Sequence, residues 1–365
     1  MPDLTIARGT CHALLAYEVG YAIDLEAAER RLAAAERQTV KQRRRAPAYF
    51  EYRPAPLRVA WDAEPVAAGG YRTARGVELV LYDFGAISVR YAIPIAGPLA
   101  EVPDLSEDLW GNELLAADSR GHVERALRAL GDAVVRPGVA PFVEDYAIFE
   151  IEAFTTPVEA AGLWTEHAQI VARVLRAEAR ALSQQEVADA TASRLSFGPN
   201  DATLIDGDAT LLFDPEGEDV RDVIEFANTQ LLEMRYLDAQ LDRALDGAYE
   251  LLSRRGRFRA RPSGADLRRL ARLQLDGAVL FEQVTNALKL IGEQYLTRVY
   301  GLVSRRFHLA EWDASITRKL ETLESIYSKT SDASAARRME ILEWIIIVLI
   351  AVSIAIYFVP GLPVR

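Results

Sequence analysis

The apolar run at 341–359, ILEWIIIVLIAVSIAIYFV, constrains this chain more than any other stretch. Only Glu343 and Ser353 interrupt its apolar and aromatic side chains. Wound as an α-helix it is about 28 Å long, close to the ~30 Å hydrocarbon core of a bilayer. A helix that is apolar on every side belongs in a core or in lipid, so the run predicts a C-terminal transmembrane helix over 338–360. Trp344 and Tyr357, near its two ends, suit interfacial aromatic positions. Arg337 and Arg338 precede it together with Arg318, Lys319 and Lys329, and only Arg365 follows. By the positive-inside tendency the body is expected in the cytoplasm, anchored once near the C-terminus, in a bacterial inner membrane. The N-terminus has no basic stretch followed by an apolar run, so no secretory signal is expected.

Composition narrows the body. The net charge of −11 disfavours nonspecific nucleic-acid binding by the chain as a whole. The single cysteine, Cys11, excludes an intrachain disulfide and any multi-cysteine zinc site. It falls in an apolar strand and is expected to be an inert core thiol.

Taken in order, the pattern predicts an α+β fold. Residues 10–19 read as a strand. Asp24 caps a helix with Leu25, Ala28, Leu32 and Ala35 at helical spacing. A proline-marked stretch over 43–76 carries possible strands at 49–53 and 57–61. Residues 77–83 and 86–94 form a hairpin turning at Gly85. Helices follow, one capped by Ser106 and one carrying Val123, Leu127 and Leu130, and 143–154 alternates as a strand. The order β-α-β-β-α-β predicts a ferredoxin-like domain over 1–156. Residues 157–214 read as a long helix from 158 to 191 plus a hairpin about Asp206-Gly207-Asp208. Residues 215–330 read as a long antiparallel helical hairpin or coiled coil. Val220, Ile224, Ala227, Leu231, Met234, Leu241, Leu245, Ala248 and Leu252 make a heptad seam broken only by Asp238. A return helix is expected over 265–307, then a linker at 331–337 before the anchor.

No catalytic constellation emerges. Asp83-Phe84-Gly85 matches the kinase metal-binding tripeptide but lacks the glycine-rich loop, the partnered lysine and the catalytic loop, so it reads as a turn. No phosphate-binding glycine loop is present. His12, His122, His167 and His308 are far apart and read as structural or exposed. Asp201, Asp206, Asp208 and Asp214 surround a turn without EF-hand spacing. No catalytic residue, cofactor or metal is expected. The candidate contact is a basic connection at the tip of the helical hairpin: Arg254, Arg255, Arg257, Arg259 and Arg261 around Phe258. Arginine forks bind phosphate bidentately, and Phe258 could insert among acyl chains or stack on a base. The expected phosphate is an anionic lipid headgroup or ribosomal RNA.

Three segments together resemble the required-for-meiotic-nuclear-division family of membrane-anchored proteins: AYEVGYAIDLE at 16–26, LYDFGAISVRY at 81–91 and LEWIIIVLI at 342–350. This chain has Ser353 where that family often carries an acidic residue in the membrane helix. It has Tyr91 where the family often has Trp. The resemblance implies no catalytic residues and suggests a tethering role. The resulting expectation is a noncatalytic scaffold or adaptor holding its α+β domain and coiled-coil helices at the lipid bilayer for partners that are unidentified proteins or, in a homo-oligomer, further copies of the chain. The alternative is a ligand-binding regulatory or enzymatic domain signalling through the helices.

Overall fold

The computed structural model describes residues 4–35, 55–257 and 294–358. Side chains at 250–257, 329–342 and 351–358 lie outside that description, as does the expected strand at 49–53. The chain divides into two compact units, Met1–Leu237 with Leu280–Asp313 and Asp238–Val279 with Ala314–Arg365.

The first unit is built on one large sheet. In chain order its strands are β1 (Thr5–Glu18), β2 (Ala22–Ile23), β3 (Leu57–Trp61), β4 (Ala67–Ala68), β5 (Tyr71–Arg72), β6 (Val77–Leu81), β7 (Ala86–Pro98), β8 (Val134–Val135), β9 (Glu144–Phe154), β10 (Arg194–Leu195), β11 (Ala202–Ile205) and β12 (Ala209–Phe213). Eight of them form a sheet in the order β10-β11-β12-β9-β1-β7-β6-β3. All neighbours are antiparallel except β12 and β9, which run parallel. This corrects the ferredoxin-like expectation. The strands expected to make that domain do lie side by side as β9-β1-β7-β6. However, the sheet goes on through β3 at one edge and through β12, β11 and β10 at the other. Hydrogen-bonding edges that a four-stranded unit would leave open are thus filled from elsewhere in the chain.

Alternation sorts the sheet into two unlike faces. Cys11, Ala13, Leu15 and Tyr17 of β1 point to one side with Leu79, Leu81, Ile87, Val89, Tyr91, Phe149 and Ile151. They bury against α1 (Leu25–Ala35), α2 (Val102–Leu109), α3 (Glu113–Leu130) and α5 (Ala168–Leu175), which supply Leu32, Leu105, Val123 and Val174 to the same core. Asn112 caps α3 by accepting from the Leu115 amide at 3.0 Å. Ser106, expected as a cap, instead sits inside α2 and donates to the Val174 carbonyl at 2.7 Å. The expected helix over 158–191 is broken into α4 (Gly162–Thr165), α5 and α6 (Gln184–Ala190). The break falls where Ala177 takes a positive φ of 48° and Ser183 caps α6.

The hairpin turn at 83–85 is locked from outside. The Val19 amide donates to the Gly85 carbonyl and the Ile23 amide to the Asp83 carbonyl, both at 2.8 Å. Gly85 has φ +105°, and a β-carbon there would lie 2.0 Å from the Gly20 carbonyl oxygen. The kinase-like tripeptide is therefore backbone scaffolding that joins two of the quoted segments.

The other sheet face is covered by α7 (Glu218–Arg257) and α8 (Gln294–Arg306); a further helix, α9, runs Leu309–Phe358. Residues 338–358 continue this 50-residue helix and do not form one of their own. Among the described residues no helix is long and apolar enough to cross a membrane. The expected anchor over 338–360 is thereby overturned, and with it the single-pass membrane placement for which Trp344, Tyr357, Arg337 and Arg338 were expected to serve.

Within the second unit, Asp238 is not an unmatched polar residue in a seam. Lys319 Nζ lies 2.7 Å from its carboxylate and 2.6 Å from Asp242, and the Ser315 hydroxyl lies 3.4 Å away. Most of the expected return helix over 265–307 lies outside the described residues.

Candidate polar cleft and buried ion cluster

The face that β1, β3, β6, β7 and β9 turn towards α7 carries an apolar cluster, Ala16, Val80, Tyr82 and Ala86 against Phe226 and Leu232, and beside it a polar set: His12, Arg58, Glu78, Ser88, Arg90, Glu144 and Glu150. Residues 221–230 of α7 are buried on every side. Its buried polar residues are Arg221, Asp222, Glu225, Asn228, Thr229, Gln230 and Glu233. Helix and sheet therefore meet through an apolar cluster and, beside it, through buried charge.

At the centre, Glu225 is fully buried. It accepts from the Ser88 hydroxyl at 2.7 Å and from Arg90 Nη1 at 2.9 Å. Arg58 Nη2 lies 2.7 Å from Asp222 Oδ1, and Arg90 Nη1 reaches the same oxygen at 3.4 Å. Glu78 pairs with Arg90 and lies 3.7 Å from Arg58. Burial pushes the Glu225 carboxyl up, but Arg90, Arg58 and the Ser88 hydroxyl together hold it below its ordinary value. For Asp222 burial outweighs the same arginines, and its carboxyl is raised. Desolvating these charges costs several kcal/mol per ion, which only close pairing offsets.

Beside this cluster the sheet is left open, and a cleft of about 740 Å³ lies over it. Thr10, His12, Arg90 and Glu150 line its floor, Trp61, Asp62 and Arg75 line its rim, and Arg221 comes from α7. His12 Nε2 lies 3.1 Å from Glu150 Oε2, and Arg221 pairs with the same carboxylate. Burial lowers the His12 pKa against the pull of Glu150, and the charges of Arg221 and Arg90 lower it further. The imidazole is then neutral near pH 7, and its Nε2–H donates a hydrogen bond to the Glu150 carboxylate. His12 Nδ1 and Arg221 Nε are buried without a hydrogen-bond partner. Periodicity marked His12 as an ordinary strand residue. Only the two-residue alternation from Cys11 signalled that it faces away from the main core.

A second hollow, about 460 Å³, is lined by Trp110, Asn112, Glu144, Asp145, Asp208 and Arg235 among others. Glu144 is pushed up to about 7 by burial, with Arg235 pulling the other way. Of the expected phosphate contact, Arg254, Arg255 and Arg257 fall in the last turns of α7 with side chains outside the description. Phe258, Arg259 and Arg261 lie outside the described residues altogether. Cys11 is fully buried and its thiol pKa is raised by that burial. Among the described residues no group of three or more His, Cys, Asp or Glu could hold a metal ion.

A mixed sheet with one ionic face and a cleft beside a long helix is the class this geometry defines. Residues 8–219 match the family described as Uncharacterized protein MJ0711, N-terminal domain, and the chain belongs to that family. A curated relative, Uncharacterized protein MJ0711 of Methanocaldococcus jannaschii, is 22% identical over 218 residues. That alignment covers 58% of this chain and 65% of the relative's length. No solved structure matches. The likeness to the required-for-meiotic-nuclear-division family is thus corrected. The segments 16–26 and 81–91 lie inside the family match but belong to a different family, and 342–350 lies beyond it. The relative is archaeal, so the expected bacterial inner membrane has no support from it. The match takes in His12, Arg58, Glu78, Arg90 and Glu150 and ends at the start of α7.

Proposed function

We propose that this protein is a noncatalytic binding module: the cleft takes up a small polar ligand, and α7 carries the consequence into the helices of the second unit. One residue carries the reading. Arg90 lines the cleft and also pairs with Asp222 and Glu225 on α7. A ligand that redistributes the hydrogen bonds of Arg90 changes how well the α7 carboxylates are neutralised. Because those carboxylates are desolvated, a small change there is large in free energy. The same helix then runs on to Arg257, through residues assigned to both units. This supports an adaptor whose helices meet a protein partner or a second copy of the chain.

The test is a thermal-shift panel of nucleotides, amino acids and metal ions against the full chain, followed by hydrogen exchange. A binding ligand is expected to raise the melting temperature and slow exchange across 218–240 in the parent. In Arg90→Met it should lose its effect on that segment. Silence across the whole panel, or protection confined to the cleft strands, would sink the reading.

A further inference from the structure

The cleft holds charges of both signs in nearly equal number. Arg75, Arg90 and Arg221 line it together with Asp62, Glu78, Glu150 and Glu152. These charges stand in pairs, Arg75 with Asp62, Arg90 with Glu78, Arg221 with Glu150 and Glu152 with Arg8, so a ligand of one sign would take one member of a pair and strand the other. Like charges brought together in a desolvated site are strongly selected against. The unmatched atoms show the same duality. With Glu150 ionised, His12 Nε2–H donates a hydrogen bond to its carboxylate, so Nδ1 is an acceptor lacking a donor, and Arg221 Nε–H is a donor lacking an acceptor. Both residues line the cleft, with side-chain exposures of 12% and 10%.

We infer that the ligand is a small zwitterion: a free α-amino acid, or a compound that likewise carries an ammonium and a carboxylate close together. Resting on the binding reading above, this names the ligand class. The ammonium supplies the donors that His12 Nδ1 and the cleft carboxylates take. The carboxylate supplies the acceptor that Arg221 and Arg75 take, and guanidinium forks suit it geometrically. The volume of about 740 Å³ leaves room for a side chain against Trp61. A site that hydrogen-bonds both ends rejects analogues lacking either one, because its own buried groups are then left unpaired.

The experiment is calorimetry on the full chain. Pools of the twenty amino acids come first, then each active member beside its carboxamide, which lacks the carboxylate, and its N-acetyl derivative, which lacks the ammonium. At least one amino acid should bind, with both derivatives weakened tenfold or more. Arg75 is exposed at the rim, so Arg75→Ala leaves the core untouched and is expected to weaken binding several-fold. Ala92→Trp, which fills the floor, should abolish it, with circular dichroism reporting whether that variant folds. If a derivative binds as tightly as its parent, or only inorganic phosphate or a polyamine binds, the zwitterion class is overturned while the binding module stands. If binding is indifferent to Arg75→Ala and to a folded Ala92→Trp, the placement is overturned. If nothing binds here, the zwitterion class is overturned, and the binding module falls with it only when the thermal-shift panel is silent as well.

Discussion

Glu18 ends β1 and Glu233 lies on α7, and both are 2% exposed. They face each other, and among the described residues no guanidinium or ammonium acts on the pair. Burial raises both carboxyls; Glu233 raises Glu18 further, to well above its ordinary value, while the hydrogen bond with Glu18 pulls Glu233 back, leaving it pushed up to about 7. Glu18 Oε2 and Glu233 Oε1 are buried without a hydrogen-bond partner. At neutral pH the pair therefore keeps at least one proton and is joined by a carboxyl–carboxylate hydrogen bond. The consequence has a definite sign. From an unfolded value of 4.5 up to about 7, the folded chain binds more protons than the unfolded chain, so stability falls as pH rises through that window. For Glu233 alone the loss by pH 8 is about 3 kcal/mol at 1.36 kcal/mol per pKa unit. Glu233→Gln keeps a hydrogen-bond donor towards Glu18 and removes one titration. The variant should match the parent near pH 4.5 and exceed it by about 3 kcal/mol at pH 8, roughly 6–12 °C in melting temperature. Urea denaturation of the full chain, followed by tryptophan fluorescence at half-unit steps from pH 4.5 to 8.5, measures this. Parallel stability profiles for parent and variant would refute the argument, because they would mean that the pair is neutralised by a countercharge.

Other substitutions test other parts of the same frame. Glu225→Leu leaves Arg90 and Arg58 short of a buried partner and should cost about 3–5 kcal/mol, whereas Arg90→Met combined with Glu225→Leu should cost clearly less than the two separate losses added; chemical denaturation of the four proteins decides. Gly85→Ala meets both a left-handed backbone and the Gly20 carbonyl, and a loss of about 2–3 kcal/mol is expected by the same method. Asp238→Leu, which the heptad pattern alone would make stabilising, should lower the melting temperature by the equivalent of roughly 1 kcal/mol, since Lys319 keeps Asp242 but loses one carboxylate. A higher melting temperature would restore the seam argument.

Much of the local structure was legible in the residues. The strand at 57–61 is observed with those bounds, and the hairpins about Gly85 and about 206–208 are present. Each has a strong local cause, either a run of alternating β-formers or a turn residue that cannot sit elsewhere. What the pattern could not supply was the assembly. Nothing local in 209–213 says that it pairs parallel with 147–151, since that register is set by long-range contacts. The helix expected over 158–191 failed because apolar spacing continues through a break whose cause, the positive φ at Ala177, leaves no trace in hydropathy. The apolar run at 341–359 was read by length and composition alone, and neither carries the context of the helix in which it sits.

The cleft was missed for a reason that says something about α7. Its apolar residues at 220, 224, 227, 231 and 234 follow the heptad spacing, and the rule for such a stripe assigns the remaining positions to water. Asp222, Glu225, Thr229 and Glu233 occupy those positions, yet all are buried. Here α7 is buried on both its apolar stripe and its polar stripe, so the charges of Asp222 and Glu225 and the sharing of a proton between Glu18 and Glu233 are conditions for its docking rather than surface ornament. An apolar stripe in the same place would dock the helix at lower cost, because buried ion clusters are often no more stable than hydrophobic replacements. A chain that keeps this arrangement departs from local consistency where function is expected to intrude. The departure lies along the helix whose first turns form a wall of the cleft. A ligand or a proton that rearranges a few buried hydrogen bonds there changes the free energy of docking for the whole buried segment of α7.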